Sequence, residues 1–146
     1  MPHLKRLLTP APALLLAACG SVFGIEQSEL GYISASATDP PSLSAPDTVG
    51  AHHPFVVTVT TGGPSGCWTG YRTRVVQDSQ RVTITPYDRV VGGVCTQAPV
   101  RITHSTTISF PTPGTATIVA HGRARNRSGA EIDIQKTVVV VPSITP

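Results

Sequence analysis

Apolar and polar residues alternate along much of the chain between residues 55 and 141. The alternation is clearest in the segments FVVTVT (55–60), RVTIT (81–85) and ATIVAH (116–121). Because successive side chains of a β-strand point to opposite faces of the sheet, each segment predicts a strand with one buried face. A hairpin is predicted where the turn residues 126–129 (NRSG) separate the last two alternating segments.

Turns rich in glycine and proline separate these segments, and no helical period competes with them. The chain contains 14 Pro and 13 Gly, which suits a β protein with many turns. About seven or eight short strands at this spacing predict an all-β fold, an antiparallel β-sandwich, over residues 42–142. Residues 143–146 would form a tail. Residues 30–41 contain a candidate extra strand, which Pro40 and Pro41 end.

The N-terminus has the organisation of an export signal. Lys5 and Arg6 form a positive region, residues 7–18 are largely apolar, and small residues precede Cys19. The apolar stretch is about 12 residues long, whereas a helix that spans a membrane needs about 20. It therefore predicts a signal peptide and not a permanent transmembrane anchor.

Residues 16–19 (LAAC) resemble the lipobox of bacterial lipoprotein precursors at all four positions. The resemblance implies that residues 1–18 are a lipoprotein signal peptide and that the Cys19 sulfur receives a diacylglyceryl group. Two or three acyl chains make a durable membrane anchor, which residues 19–29 would join to the domain as a lipidated tether. Gly20 in place of Asp implies the outer membrane if the host is Gram-negative. The alternative is an ordinary secretory signal cut at the same place.

The three cysteines divide into one and two. Once Cys19 carries lipid, Cys67 and Cys95 remain as an even pair in an oxidising compartment, which predicts a disulfide. The bond would close a loop of about 29 residues and stabilise the domain by roughly 3.6 kcal/mol. Two free thiols or two metal ligands are the alternatives.

The net charge argues against a nucleic-acid partner. The formal value is +3, and removal of Lys5 and Arg6 with the signal peptide leaves about +1, which is too little for a general nucleic-acid binder. The remaining charge is divided unevenly, with about −4 on residues 19–50 and about +5 on the rest of the chain.

Residues 43–49 (LSAPDTV) and 54–59 (PFVVTV) resemble the opening strands of bacterial immunoglobulin-like extracellular modules. Later segments resemble a group of uncharacterised bacterial lipoproteins built on such a domain. The resemblance implies an immunoglobulin-like sandwich and an envelope location, but it carries no activity. One departure is that Cys67 and Cys95 fall in or beside glycine-rich loops, whereas the antibody-type disulfide joins two central strands. The later segments are 66–68, 82–88, 94–96 and 113–118.

No group of residues predicts catalysis, a metal site or a cofactor. Ser65 lies in GPSGC (63–67), which lacks the last glycine and the strand-turn-helix context of a hydrolase elbow. His52 and His53 are adjacent and would diverge on an extended segment, while His104 and His121 are expected to face outward from strands. We therefore expect no enzyme.

Two sets of residues are candidates for ligand binding. Arg123, Arg125 and Arg127 recur at a spacing of two, so on a strand they would form a row able to bind phosphate or carboxylate polymers. Trp68 and Tyr71 lie near glycine-rich turns and would suit stacking on a sugar. The alternatives are a solvated outer face, with Glu131 and Asp133 paired across the hairpin, and a partly buried aromatic loop anchor.

The sequence thus predicts a non-enzymatic, lipid-anchored cell-envelope protein with a structural or protein-binding immunoglobulin-like domain. One alternative is a module that binds carbohydrate or an envelope polymer, and a second is a small metal-binding or hydrolytic domain. The expected partners are the membrane, through lipid on Cys19, and an envelope protein or polysaccharide.

Overall fold

A computed structural model of the chain describes residues 28–35, 42–125 and 129–143. Within these ranges every regular element is a β-strand, which confirms the all-β prediction. The predicted signal peptide, Cys19 and Arg127 lie outside the described residues. None of the described residues belongs to a helix that could cross a membrane.

Ten strands follow one another along the described chain, more than the seven or eight predicted. The additional strands are short, because only six strands are nine to eleven residues long. The short strands are β1 (Ser28–Leu30), β2 (Tyr32–Ile33), β3 (Leu43–Ser44) and β4 (Thr48–Gly50). The long ones are β5 (Phe55–Gly63), β6 (Trp68–Asp78), β7 (Arg81–Val90), β8 (Val100–Ile108), β9 (Gly114–Ala124) and β10 (Glu131–Val141).

The strands form two sheets whose apolar faces enclose one core, as expected for a β-sandwich. The smaller sheet has the order β3-β5-β8, and the larger follows the path β6-β7-β9-β10-β4. The core side chains come from alternate positions of the strands, as the alternation predicted. Fully buried examples from four strands and a loop are Val57, Val59, Ile84, Phe110, Ile118 and Val138.

The larger sheet is mixed whereas the smaller one is antiparallel, so the prediction of an antiparallel sandwich was wrong in part. Strand β9 runs parallel to β7, β4 runs parallel to β10, and β2 runs parallel to β9. The β7/β9 pair is parallel because β8, which follows β7 in the chain, belongs to the other sheet. The chain therefore returns to the larger sheet in the direction of β7.

Strand β4 pairs with β10 through backbone hydrogen bonds, and an ion pair connects β10 to Asp47, the residue before β4. Lys136 Nζ lies 2.8 Å from Asp47 Oδ1. The hydrogen bond from Lys136, together with its positive charge, lowers the pKa of the exposed Asp47 carboxyl.

The segment formed by β1 and β2 lies between the diverging ends of β7 and β9. Strand β1 pairs with β7, β2 pairs with β9, and the chain reverses at Gly31 between them. There the Gly31 amide donates to the Pro86 carbonyl and the Arg123 amide donates to the Gly31 carbonyl, both at 2.9 Å. This insertion brings Tyr32 to the end of the sandwich where the candidate site lies.

Candidate functional site

A pocket of about 360 Å³ opens at the end of the sandwich where β5 and β9 end and β6 begins. Its volume lies within the range of small-molecule sites, about 300 to 1,000 Å³. Two of the residues predicted to bind a ligand, Trp68 and Arg125, line it together although they are distant in sequence. The full lining is Tyr32, Gly62, Gly63, Pro64, Trp68, Pro99 and Arg125.

Trp68 is held in the pocket by the end of β5. A Cβ atom at Gly63 would lie 2.3 Å from the Trp68 Cβ, so only glycine lets the indole pack this closely. The indole ring meets the Tyr32 ring edge to face, with the ring centroids 6.4 Å apart. Both side chains are partly exposed, and they give the pocket an aromatic wall.

Arg125 follows the last residue of β9, and its side chain lies against Gly62 of β5. Its backbone amide donates to the Ile33 carbonyl at 2.9 Å. Its Nε atom is 2.9 Å from the position that a Cβ at Gly62 would take. The exposed guanidinium makes no hydrogen bond or ion pair with any described residue. The pocket therefore has a cation available at its border.

The disulfide joins the two loops that border the pocket. Cys67 and Cys95 are bonded, which confirms the predicted pairing. The loops are further connected by backbone hydrogen bonds from Gly66 N to Thr96 O, at 2.9 Å, and from Val91 N to Cys67 O, at 2.8 Å. One loop carries Pro64 and the other carries Pro99, so the bond holds together two walls of the pocket.

Tyr71 lies apart from the pocket. It stands at an irregularity where β6 shifts register against β7 between Gly70 and Arg72. The Arg89 guanidinium lies 5.2 Å from the centre of its ring, and the side chain is exposed on the sheet.

Arg123 and Arg125 make different contacts. Arg123 Nη1 lies 3.5 Å from Glu29 Oε2, whereas Arg125 contacts Gly62 at the pocket. Arg127 lies outside the described residues. The carboxylates that sequence reasoning paired with these arginines face a histidine instead, since His121 Nδ1 is 2.8 Å from Asp133 Oδ1 and its Nε2 is 3.5 Å from Glu131 Oε2.

Tyr32 is the aromatic residue of the pocket to which the sequence assigned no binding role. The only signal was its place in a short candidate strand after Gly31. Its position depends on the insertion of β1 and β2 between β7 and β9, and local pattern does not encode that pairing.

The other candidate side chains lie in turns. Ser65 accepts a hydrogen bond from the Trp68 amide through its carbonyl, at 3.2 Å, in the glycine-rich turn before β6. His52 and His53 follow β4, and His52 adopts a φ of 61°. Within the described ranges no three His, Cys, Asp or Glu residues are grouped so that they could hold a metal ion.

A buried polar network joins the two sheets, and sequence reasoning missed it. His104 on β8 was expected to face outward but is buried. Its Nε2 is 2.8 Å from Oδ1 of the fully buried Asp88 on β7, and its Nδ1 is 3.2 Å from the Thr73 hydroxyl on β6. Thr61 Oγ1 lies 3.4 Å from the same Nε2. Asp88 Oδ2 has no hydrogen-bond partner among the described residues.

An acid, an imidazole and a hydroxyl in line are also the components of nucleophilic catalysis. Here Asp88 and His104 are enclosed between the sheets, and Thr73 does not line the pocket that contains Trp68. The arrangement therefore connects the two sheets and gives hydrogen-bond partners to the His104 ring and to one oxygen of Asp88.

The chain has no match among protein-family models, curated proteins or solved structures.

Proposed function

We propose that this protein is a non-enzymatic, lipid-anchored cell-envelope protein whose immunoglobulin-like domain binds an envelope component in the Trp68 pocket. The observation that carries the proposal is the convergence in one open pocket of Tyr32, Trp68 and Arg125, whose guanidinium pairs with no described residue. A domain with a purely structural role has no need to leave aromatic faces and a cation together at a concave surface.

The envelope location is supported by the lipobox-like residues 16–19 and by the disulfide. Disulfides persist in oxidising compartments and are rare where glutathione keeps thiols reduced. The immunoglobulin-like assignment is supported by the two-sheet arrangement and by the resemblance in residues 43–59. The arrangement departs from the antibody type where β9 lies beside β7 in parallel.

Crosslinking in the native host tests the binding role. The wild-type chain is expected to yield one dominant crosslinked envelope component, and Trp68→Ala is expected to lose it. Tyr71→Ala is the matched control, because it removes an exposed aromatic ring outside the pocket on the same strand. Equal yields from wild type and both variants would show that the pocket is not the binding surface.

The non-enzymatic assignment has a separate test. The purified chain is expected to turn over no substrate in broad ester, glycoside and peptide screens. The screens include Thr73→Val and Ser65→Ala. Thr73 carries the hydroxyl that contacts His104, and Ser65 lies in the segment that was compared with a hydrolase elbow. Turnover by the wild type that either variant abolishes would contradict the assignment.

A further inference from the structure

Two concave surfaces meet at Arg125. A small notch of about 10 Å³ lies beside the Trp68 pocket, and Tyr32 and Arg125 line both. The notch is bordered by hydroxyl side chains and a second arginine, so a cationic region lies next to the aromatic wall of the pocket. The notch is lined by Tyr32, Ser34, Ser42, Thr60, Thr61, Arg101 and Arg125.

The two arginines converge on one glycine of β5. Arg101 is the cross-strand neighbour of Gly62 in the β5/β8 ladder, and Arg125 lies against the same glycine. Both guanidiniums are exposed, and neither makes a hydrogen bond or ion pair with a described residue. Among the residues that the structure describes, no Asp or Glu lines either concavity. Two neighbouring cations without a local counter-ion favour an anionic ligand.

The geometry of the guanidinium group indicates which kinds of anion would bind. Its planar set of N–H donors matches the paired oxygens of a carboxylate or a phosphate group better than it matches a point charge. The aromatic wall beside it, formed by Trp68 and Tyr32, is suited to the C–H face of a ring.

We infer that the pocket binds an acidic saccharide. The sugar ring lies against Trp68 and Tyr32, and its anionic group, a carboxylate or a phosphate, is bound by Arg125 and Arg101. The inference rests on the proposed function and specifies the class of its ligand. An acidic peptide would offer the same charge without the ring hydroxyls, so it is an alternative that the test separates.

Trp68 reports directly on occupancy because it is the only tryptophan in the chain. The full chain, purified from membranes in detergent, is titrated with tetragalacturonate and, as a matched neutral probe, with its methyl ester. We expect tetragalacturonate to change Trp68 emission and to bind at least about tenfold more tightly than the ester. Added salt should weaken the binding, since charges on the surface are screened.

Variants test whether the two arginines bind the anionic group of the ligand. Arg125→Gln and Arg101→Gln should each weaken binding of tetragalacturonate by about tenfold. Arg74→Gln is the matched control, because Arg74 is exposed on β6, lines neither concavity and should leave binding unchanged. Far-UV circular dichroism verifies that each variant is folded, so a loss of binding reports on the contact.

A parallel titration distinguishes the source of the anion. Binding of mannose 6-phosphate but not of tetragalacturonate would identify a phosphorylated sugar, and its loss in Arg125→Gln would support the inference. Equal binding of the methyl ester, or binding of tetra-aspartate alone, would overturn the inference while leaving a binding role for the pocket. If no saccharide changes Trp68 emission, the inference fails, and the crosslinking experiment decides separately whether the pocket binds another component.

Discussion

At the scale of single residues, a few side chains join the two sheets and shape the pocket. Asp88 and His104 come from different sheets and meet in the core at 2.8 Å. Around the pocket, the absence of side chains at Gly62 and Gly63 matters as much as the aromatic rings, since it lets Arg125 and Trp68 approach β5. Both features lead to measurable consequences of substitution.

His104→Ala is expected to reduce the free energy of unfolding by about 3 to 5 kcal/mol. The substitution leaves Asp88 buried without its imidazole partner, and Asp88 Oδ2 already has no partner among the described residues. Urea denaturation measures the loss. Ser105→Ala is the control, because Ser105 is exposed on the same strand and should change stability by about 0.5 kcal/mol or less. A loss as small for His104→Ala as for the control would show that the network does not support the fold.

Gly63→Ala should displace Trp68 and destabilise the domain by about 1 to 3 kcal/mol, since the added methyl would overlap the Trp68 Cβ. The displacement should appear as a shift in Trp68 emission and as a lower melting temperature. Gly92→Ala is the matched control, because no described residue other than its two chain neighbours lies within 4 Å of a Cβ built there. Unchanged emission in Gly63→Ala would mean that Gly63 does not position the indole.

The sequence predicted part of the site and missed the rest for a physical reason. Trp68 and Arg125 were identified from their chemistry, which is visible locally. Tyr32 and Arg101 were given no role because their proximity depends on which strands pair. His104 lies in phase with the apolar Ile102 and Ile108, so its burial was visible in the alternation, but its partner Asp88 lies on the other sheet.

At the scale of the elements, the alternating segments identified in the sequence lie on β5, β7, β9 and β10, whereas β6 is largely exposed and lacks that alternation. The period of two fixes which residues face the core, and a shift of one residue would reverse every side chain. The parallel pairs were not predicted, because hydrophobic alternation is the same for parallel and antiparallel neighbours. Strand order depends instead on the long-range packing of the two sheets.

The disulfide belongs to this scale, because it connects the β5–β6 loop to the β7–β8 loop. The double variant Cys67→Ala, Cys95→Ala should remain folded, since the core lies between the sheets and away from the bond. It should lose about 3 to 4 kcal/mol of stability and bind ligand more weakly, because the loops that carry Pro64 and Pro99 are released.

Thermal melting, with and without reductant, measures the contribution of the disulfide. Reductant should lower the melting temperature of the wild type towards that of the double variant and leave the variant unchanged. Intact mass should rise by about two daltons on reduction of the wild type. Two freely alkylated thiols in protein from the native envelope would contradict the role of the bond in the cell.

At the scale of the whole molecule, the charges are divided between two regions. Residues 19–50 carry about −4 and residues 51–146 about +5, so the domain is mildly basic beside an acidic entry segment. A surface potential of this size acts only within a Debye length of roughly 8 Å. Charge alone would not retain the domain at a membrane, so the membrane anchoring that we propose would require lipid on Cys19.

Cys19→Ser should therefore prevent lipid attachment, and the wild type should carry a mass at its N-terminus above that of the polypeptide from residue 19. Two or three acyl chains anchor a protein durably, whereas one chain gives marginal and reversible binding. Because the Cys19→Ser variant could keep an uncleaved signal, the same variant with an ordinary secretory signal in place of residues 1–18 serves as the control. That control chain should leave the membrane fraction and remain folded, while the wild type stays with membranes through a high-salt wash that screens charge. An unmodified Cys19 in the wild type, together with membrane retention of the control chain, would show that the protein is held by another means.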